Sequence, residues 1–185
     1  MRNIGQKYKS IVGAIFALCL VPPVFAQTSG MDALFDRLQT VAPEDAPSIV
    51  AKIELEWSKS GSPAMDLLLR RGRKALEADQ VDEAINHFTA LTDHAPEFAE
   101  GWHALAIAYF DKEQFGVAMG AIERTLALEP RHFGAMEGLM VLLDDAGHTD
   151  QALRVVSLIE AIHPHHPQLS SYKERLEAKS SGRKL

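Results

Sequence analysis

The sequence predicts an all-α chain: a solenoid of three helix hairpins set between a degenerate N-terminal helix pair and a C-terminal capping helix. Prolines recur at Pro96, Pro130 and Pro164, each 34 residues from the next, and a period of that size marks stacked supersecondary units. Two further columns keep the period: Ala84, Ala118 and Ala152, and Asp82, Gly116 and Asp150. Composition agrees, with 46% hydrophobic, 24% charged and only 7% aromatic residues, a balance suited to one helical domain with an apolar core.

Residues 1–26 differ from all that follows. Arg2, Lys7 and Lys9 make a basic start, Ile11 to Val21 an apolar run, and Val24-Phe25-Ala26 a small-residue cleavage site before Gln27, the layout of a secretory signal peptide. The run is short of the roughly 20 residues a membrane span needs, so cleavage after Ala26 is expected, with a retained membrane anchor as the alternative. Cys19, the only cysteine, follows Leu18 inside the run, where a lipoprotein signal needs a small residue. Cleavage would leave no cysteine, which excludes disulfides, zinc-thiolate centres and thiol nucleophiles. It would also leave 16 basic against 25 acidic residues, a formal charge of -9. That balance argues against nucleic acid or anionic lipid as partner, since both require a basic surface.

Within residues 27–64, Met31 to Val41 and Pro47 to Ser58 read as a degenerate helix pair. Ile49, Ile53 and Trp57 form one stripe on the second helix, before a Gly61-Ser62-Pro63 break. The repeat proper divides into 65–98, 99–132 and 133–166. In each copy the column alanine lets two helices approach closely, the Asp or Gly two residues earlier is an N-cap type, and the proline ends the pair. Leu68, Gly72 and Ala75 on one helix, and Ala84, Phe88 and Leu91 on the next, fall at helical spacing and need each other for burial. Residues 167–185 supply the cap, with Leu169, Tyr172 and Leu176 on one face, and then a frayed tail from Lys179 to Leu185 carrying Arg183 and Lys184.

The middle copy, with Trp102, Leu105, Tyr109, Phe115, Ala118, Leu126 and Pro130, resembles the tetratricopeptide repeat (TPR) family. Ala106, Ile122 and Thr125 depart from its pattern. The first copy matches at Gly72, Ala84, Phe88 and Pro96 but not at Arg71 or Ala75. The third matches at Leu139, Ala152 and Pro164, with Met136 and Met140 in place of Trp and Gly. The resemblance spans about 100 residues and implies a right-handed α-solenoid that binds protein partners in a concave groove.

By the same resemblance the groove is lined by Asp66, Leu69, Arg73, Leu76 and Glu77 in the first copy. The second contributes Glu100, His103, Ile107, Phe110 and Asp111, and the third Gly134, Glu137, Val141, Asp144 and Asp145. Only Arg73 resembles the basic lining with which family members capture chaperone C-termini. An acidic lining with apolar insets would suit a basic, apolar peptide; the charges could equally serve only to solvate the surface.

No catalytic constellation is evident. Hydrolase elbow, phosphate loop and zinc-protease helix motifs are absent, and Asp144 and Asp145 read as exposed helix-end carboxylates. His163, His165 and His166 flank the repeat-ending Pro164 and read as an exposed turn, with metal binding the lesser alternative. His87, His94, His103, His132 and His148 share no ligand spacing. The expected protein is a non-enzymatic adaptor or scaffold in an exported compartment, most readily the periplasm. It has no cofactor and no metal, and it binds a protein or peptide. The competing readings are a self-associating scaffold subunit and a metal-binding or enzymatic protein.

Overall fold

The computed structural model describes residues 30–182; the signal peptide read at residues 1–26, and Arg183 and Lys184 of the tail, lie outside them. Nine α-helices and no strand occur among the described residues. They are α1 (Gly30–Thr40), α2 (Ala46–Trp57), α3 (Pro63–Glu77), α4 (Val81–His94), α5 (Ala99–Asp111), α6 (Phe115–Leu128), α7 (Phe133–Asp145), α8 (Thr149–Ile162) and α9 (Leu169–Gly182). No described helix is long and apolar enough to cross a membrane.

Helices α3–α4, α5–α6 and α7–α8 are hairpins, and each second helix packs on the first helix of the next pair. Their packing follows from the repeated residues. Ala84, Ala118 and Ala152 are fully buried at the hairpin contacts. Gly72 on α3 is where the Phe88 ring lies against the backbone: a Cβ there would sit 2.3 Å from that ring, well inside van der Waals contact.

The turn inside each hairpin repeats at the same period. Asp79 (φ 59°), Glu113 (φ 59°) and Gly147 (φ 81°) occupy the left-handed region. The next residue's N–H reaches back to a carbonyl of the preceding helix: Gln80 to Ala75, Gln114 to Tyr109 and His148 to Leu143, each at 2.8 Å. This is the Schellman termination, which satisfies carbonyls the helix end would leave unpaired. Asp82, Gly116 and Asp150 do not cap the second helices. Those helices begin one residue earlier, after Gln80, Gln114 and His148, so the column lies inside the first turn, where the two aspartates face the positive end of the helix dipole.

The N-terminal pair does not extend the stack beyond the first hairpin. Phe35, Leu38, Ile49, Ile53 and Trp57 share one apolar core with Phe133, Met136, Met140, Val156, Ile159 and Leu176, whereas Leu69, Phe88 and Leu91 belong to a separate cluster of α3, α4 and α5. Helices α1 and α2 thus lie against the third hairpin and its cap. Polar contacts fix the seat: Arg131 pairs with Asp32 at 2.8 Å and lies 4.2 Å over the Phe35 ring, and Gln39 donates to the Ala161 carbonyl at 3.2 Å. At the other end, α9 continues through Lys179 to Gly182 where a frayed tail was expected. Lys179 binds the carboxylate and the carbonyl oxygen of Asp144, tying the last turn of α9 to the end of α7.

Candidate functional site

The first helices of the hairpins, α3, α5 and α7, face a common concavity, and α2 closes one side of it. A cavity of about 500 Å³ lies between them, walled by Leu55 and Trp57 of α2, Leu76 of α3, Ile107 of α5 and Phe133 of α7. A second, of about 210 Å³, runs on between α5 and α7 under Phe110, Val141 and Tyr172. His103, Ile107 and Gly134 border both. Gly134 and Gly138 of α7, one turn apart, border this slot: a Cβ at Gly134 would sit 3.2 Å from His103 of α5, and one at Gly138 would sit 3.1 Å from Ile122 of α6.

A polar network forms the floor of the larger cavity. Glu100, only 6% exposed, bonds Arg73 through Oε1 and His132 through Oε2. His132 Nδ1 accepts the Ala135 N–H at 3.2 Å and so caps α7. Its proton therefore sits on Nε2 and is donated to Glu100 Oε2 at 2.9 Å. The Trp57 indole stacks on the same imidazole, centroids 4.1 Å apart and planes 7° apart. Burial alone would raise the Glu100 pKa, but the two imidazoles, His103 and His132, outweigh it and hold the carboxyl well below the usual range. Burial in turn pushes His132 down.

Glu100, His103 and His132 bring one ligand atom each within 4.8 Å of one another, although their sequence spacing suggests no cluster. The set is nonetheless ill suited to a cation. Metal coordination needs the Nε2 lone pair of His132, which the Ala135 cap commits to carrying a proton, and Arg73 already places a positive charge on the same carboxylate. Together with Arg73 the trio reads as a hydrogen-bonded network around the Glu100 carboxylate that positions the cavity floor.

Of the sequence-predicted groove residues, Arg73, Leu76, Glu100, His103 and Ile107 line the larger cavity, and Phe110, Glu137, Gly134 and Val141 the smaller one. Two predicted positions are corrected. Leu69, 1% exposed, points into the core between α3, α4 and α5. Asp144 is buried beneath α9, ion-paired to Lys179 and Arg175, and is no exposed helix-end carboxylate. Glu77, Asp111 and Asp145 are exposed at the last residues of α3, α5 and α7 and border neither cavity. Asp66 instead accepts from the backbone N–H and hydroxyl of Ser60, clipping the α2–α3 connection.

The histidine turn also needs correction. His163 is 4% exposed, its ring 5.6 Å from that of Phe133, and burial lowers its pKa to about 4. His166 binds Glu137 at 2.8 Å. Sequence reasoning missed Glu54, Leu55 and Trp57 as cavity residues, because α2 lies outside the repeat and no repeat position predicts which way its side chains face. The meeting of Glu100 with His132 had a signal in the repeat register: His132 ends the copy that Glu100 begins, so adjacent first helices bring the two positions side by side.

No family model matches the chain. A TPR repeat-containing protein of Rhizobium etli is 33% identical over 135 residues, which cover 72% of this chain and 66% of that relative. The BBSome complex member BBS4 homolog of Drosophila melanogaster is 24% identical over 104 residues, 56% of this chain and 20% of its own length. The chain thus spans just under two thirds of the first relative and a fifth of the second. Among solved structures, the Sgt2 TPR domain of Aspergillus fumigatus superposes with a TM-score of 0.62 at 18% identity, covering 66% of this chain and 83% of that domain. The first TPR of Spaghetti (RPAP3), solved with an HSP90 peptide, gives 0.60 at 19% identity, covering 63% and 95%. The 34-residue columns, three tandem hairpins with a common concavity, and these likenesses agree, and the chain belongs to the tetratricopeptide repeat family.

Proposed function

We propose that this protein is a non-catalytic interaction module of an exported compartment, most readily the periplasm, which holds a basic and apolar segment of a protein partner in its concave face. The observation that carries the reading is the pair of adjoining cavities, about 500 and 210 Å³, that meet at Ile107, itself 41% exposed. Adjoining recesses with largely apolar walls are what an extended or helical segment with spaced anchors requires. TPR domains solved with HSP90 and HSP70 peptides support the general mode, and the acidic balance of the chain favours a basic segment. The signal-peptide pattern of residues 1–26 supports the compartment.

Site-specific photocrosslinking in cells tests the site. A photoreactive residue at Ile107 should give a discrete adduct, and one at the exposed Leu158 of α8, away from both cavities, should not. Equal adducts at both positions, or none at Ile107, would sink the reading. Fractionation with intact-mass measurement tests the compartment: the expected species begins at Gln27 and is released with the envelope fraction. A full-length chain in the cytosol would overturn that part alone.

A further inference from the structure

We infer that the larger cavity is a socket for a lysine or arginine side chain of the partner, with Glu54 as its counter-ion and Leu55 and Ile107 flanking its alkyl stem. The inference rests on the concave-face reading above and adds to it the residue that selects the partner. The other charged groups on the cavity wall gather on Glu100, His103 included, its Nδ1 3.5 Å from Oε2. Arg73 donates to Ser58 Oγ at 3.0 Å and to Glu100. Glu100 is shared between Arg73 and His132. His132 is buried, with both ring nitrogens engaged by Glu100 and the Ala135 N–H. Glu137, across the concavity, is bound by His166.

Glu54 on α2 is different, because its carboxylate has no hydrogen-bond or ion-pair partner among the described residues. Its pKa is raised by burial first and then by Glu100, against the opposing charges of Arg73 and His103, with Glu137 adding to the rise. A cation brought beside it would meet an exposed carboxylate that is bonded to no described side chain and is acted on by Arg73 and His103 only through space. Around it the wall is apolar. Leu55, 59% exposed, and Ile107 are the exposed apolar residues of the lining, and the buried Trp57 and Phe133 complete it. Apolar flanks beside one carboxylate that no described side chain binds suit a side chain that has a hydrocarbon stem and a cationic head. The adjoining slot beside Phe110 then receives an apolar neighbour of that residue.

The test is a chemical-shift titration of the 15N-labelled protein with two blocked peptides, acetyl-Gly-Lys-Leu-Gly-amide and the same peptide with norleucine for lysine. Norleucine keeps the stem and lacks the ammonium. The lysine peptide should bind about fivefold more tightly, the equivalent of roughly 1 kcal/mol for a partly screened ion pair, and should shift amides of residues 51–58 and 103–107. Glu54→Gln should abolish the difference, and Phe110→Ala should weaken both peptides alike. Equal affinity for the two peptides in the wild type, or an unchanged preference in Glu54→Gln, overturns the socket and leaves the concave-face reading standing. No binding of either peptide overturns both.

Discussion

Single residues show how the chain holds its ionisable groups in place, and Glu100, His132 and His163 shape its response to acid. Glu100 has a depressed pKa, so the stability it contributes is present above the ordinary carboxylate value of 4.5 and is lost as pH falls below it. His163 is also depressed, from 6.5 to about 4, but with the opposite charge logic. The unfolded chain takes up a proton below pH 6.5 and the folded one resists until about 4, so stability falls across that window and is unaffected above it. The melting temperature should therefore decline from pH 6.5 to 4, and His163→Gln should make that limb shallower, His132 supplying the rest, while sparing the loss below pH 4.5 that Glu100 brings. An identical pH profile in the variant would remove His163 from the account. Glu100→Ala should cost about 2 kcal/mol in urea unfolding at pH 7, since it strands the buried His132 donor and takes away the carboxylate that anchors the partly exposed Arg73. A loss under 0.5 kcal/mol would show that the network relaxes freely.

At the scale of the element, the hairpin turns are set by one left-handed position per copy, and the three copies fill it differently. Gly147 sits there without a Cβ, while Asp79 and Glu113 carry side chains at φ 59°. A left-handed residue with a Cβ costs roughly 1–2 kcal/mol, somewhat less for Asp. Gly147→Ala should therefore destabilise by about 1 kcal/mol, whereas Glu113→Gly should be neutral or stabilising by up to about 1 kcal/mol; denaturant midpoints at constant m check both. The reverse signs would mean that neighbouring contacts, not backbone strain, govern the turn. Such elements were the legible part of the sequence. The proline and alanine columns imposed hairpins at 65–98, 99–132 and 133–166, and the stripe Ile49, Ile53 and Trp57 identified α2. Less legible was the fate of individual groove positions. Leu69 and Asp144 hold family groove positions, yet Leu69 is claimed by the α4 and α5 core and Asp144 by the basic last turns of α9. A pattern defined within one repeat carries no information about what a neighbouring element lays over it.

Across the whole molecule, the deciding feature is where the N-terminal pair docks. Helices α1 and α2 have no place in the 34-residue register, so their docking site had to come from surface complementarity that one sequence does not display. A stripe of apolar residues would bury as well against the open side of α3–α4 as against α7. The structure resolves the choice through particular partners: Trp57 on the His132 ring and near Phe133, and Arg131 between Asp32 and Phe35. The consequence is a walled cavity in place of an open groove, with the first and third hairpins coupled through a strap that is covalently continuous with α3 but packed on α7 and α8. This coupling is directly testable. Trp57→Ala removes a large buried side chain and should cost about 3–5 kcal/mol, but the loss should not be felt evenly. Native-state hydrogen exchange should show amides of α1, α2, α7 and α8 losing protection, while those of α3 and α4, whose core cluster contains none of these residues, keep theirs. If α3 and α4 lost protection first, the N-terminal pair would be acting as a cap on the adjacent hairpin, and Trp57 would no longer account for the wall that shapes the binding site.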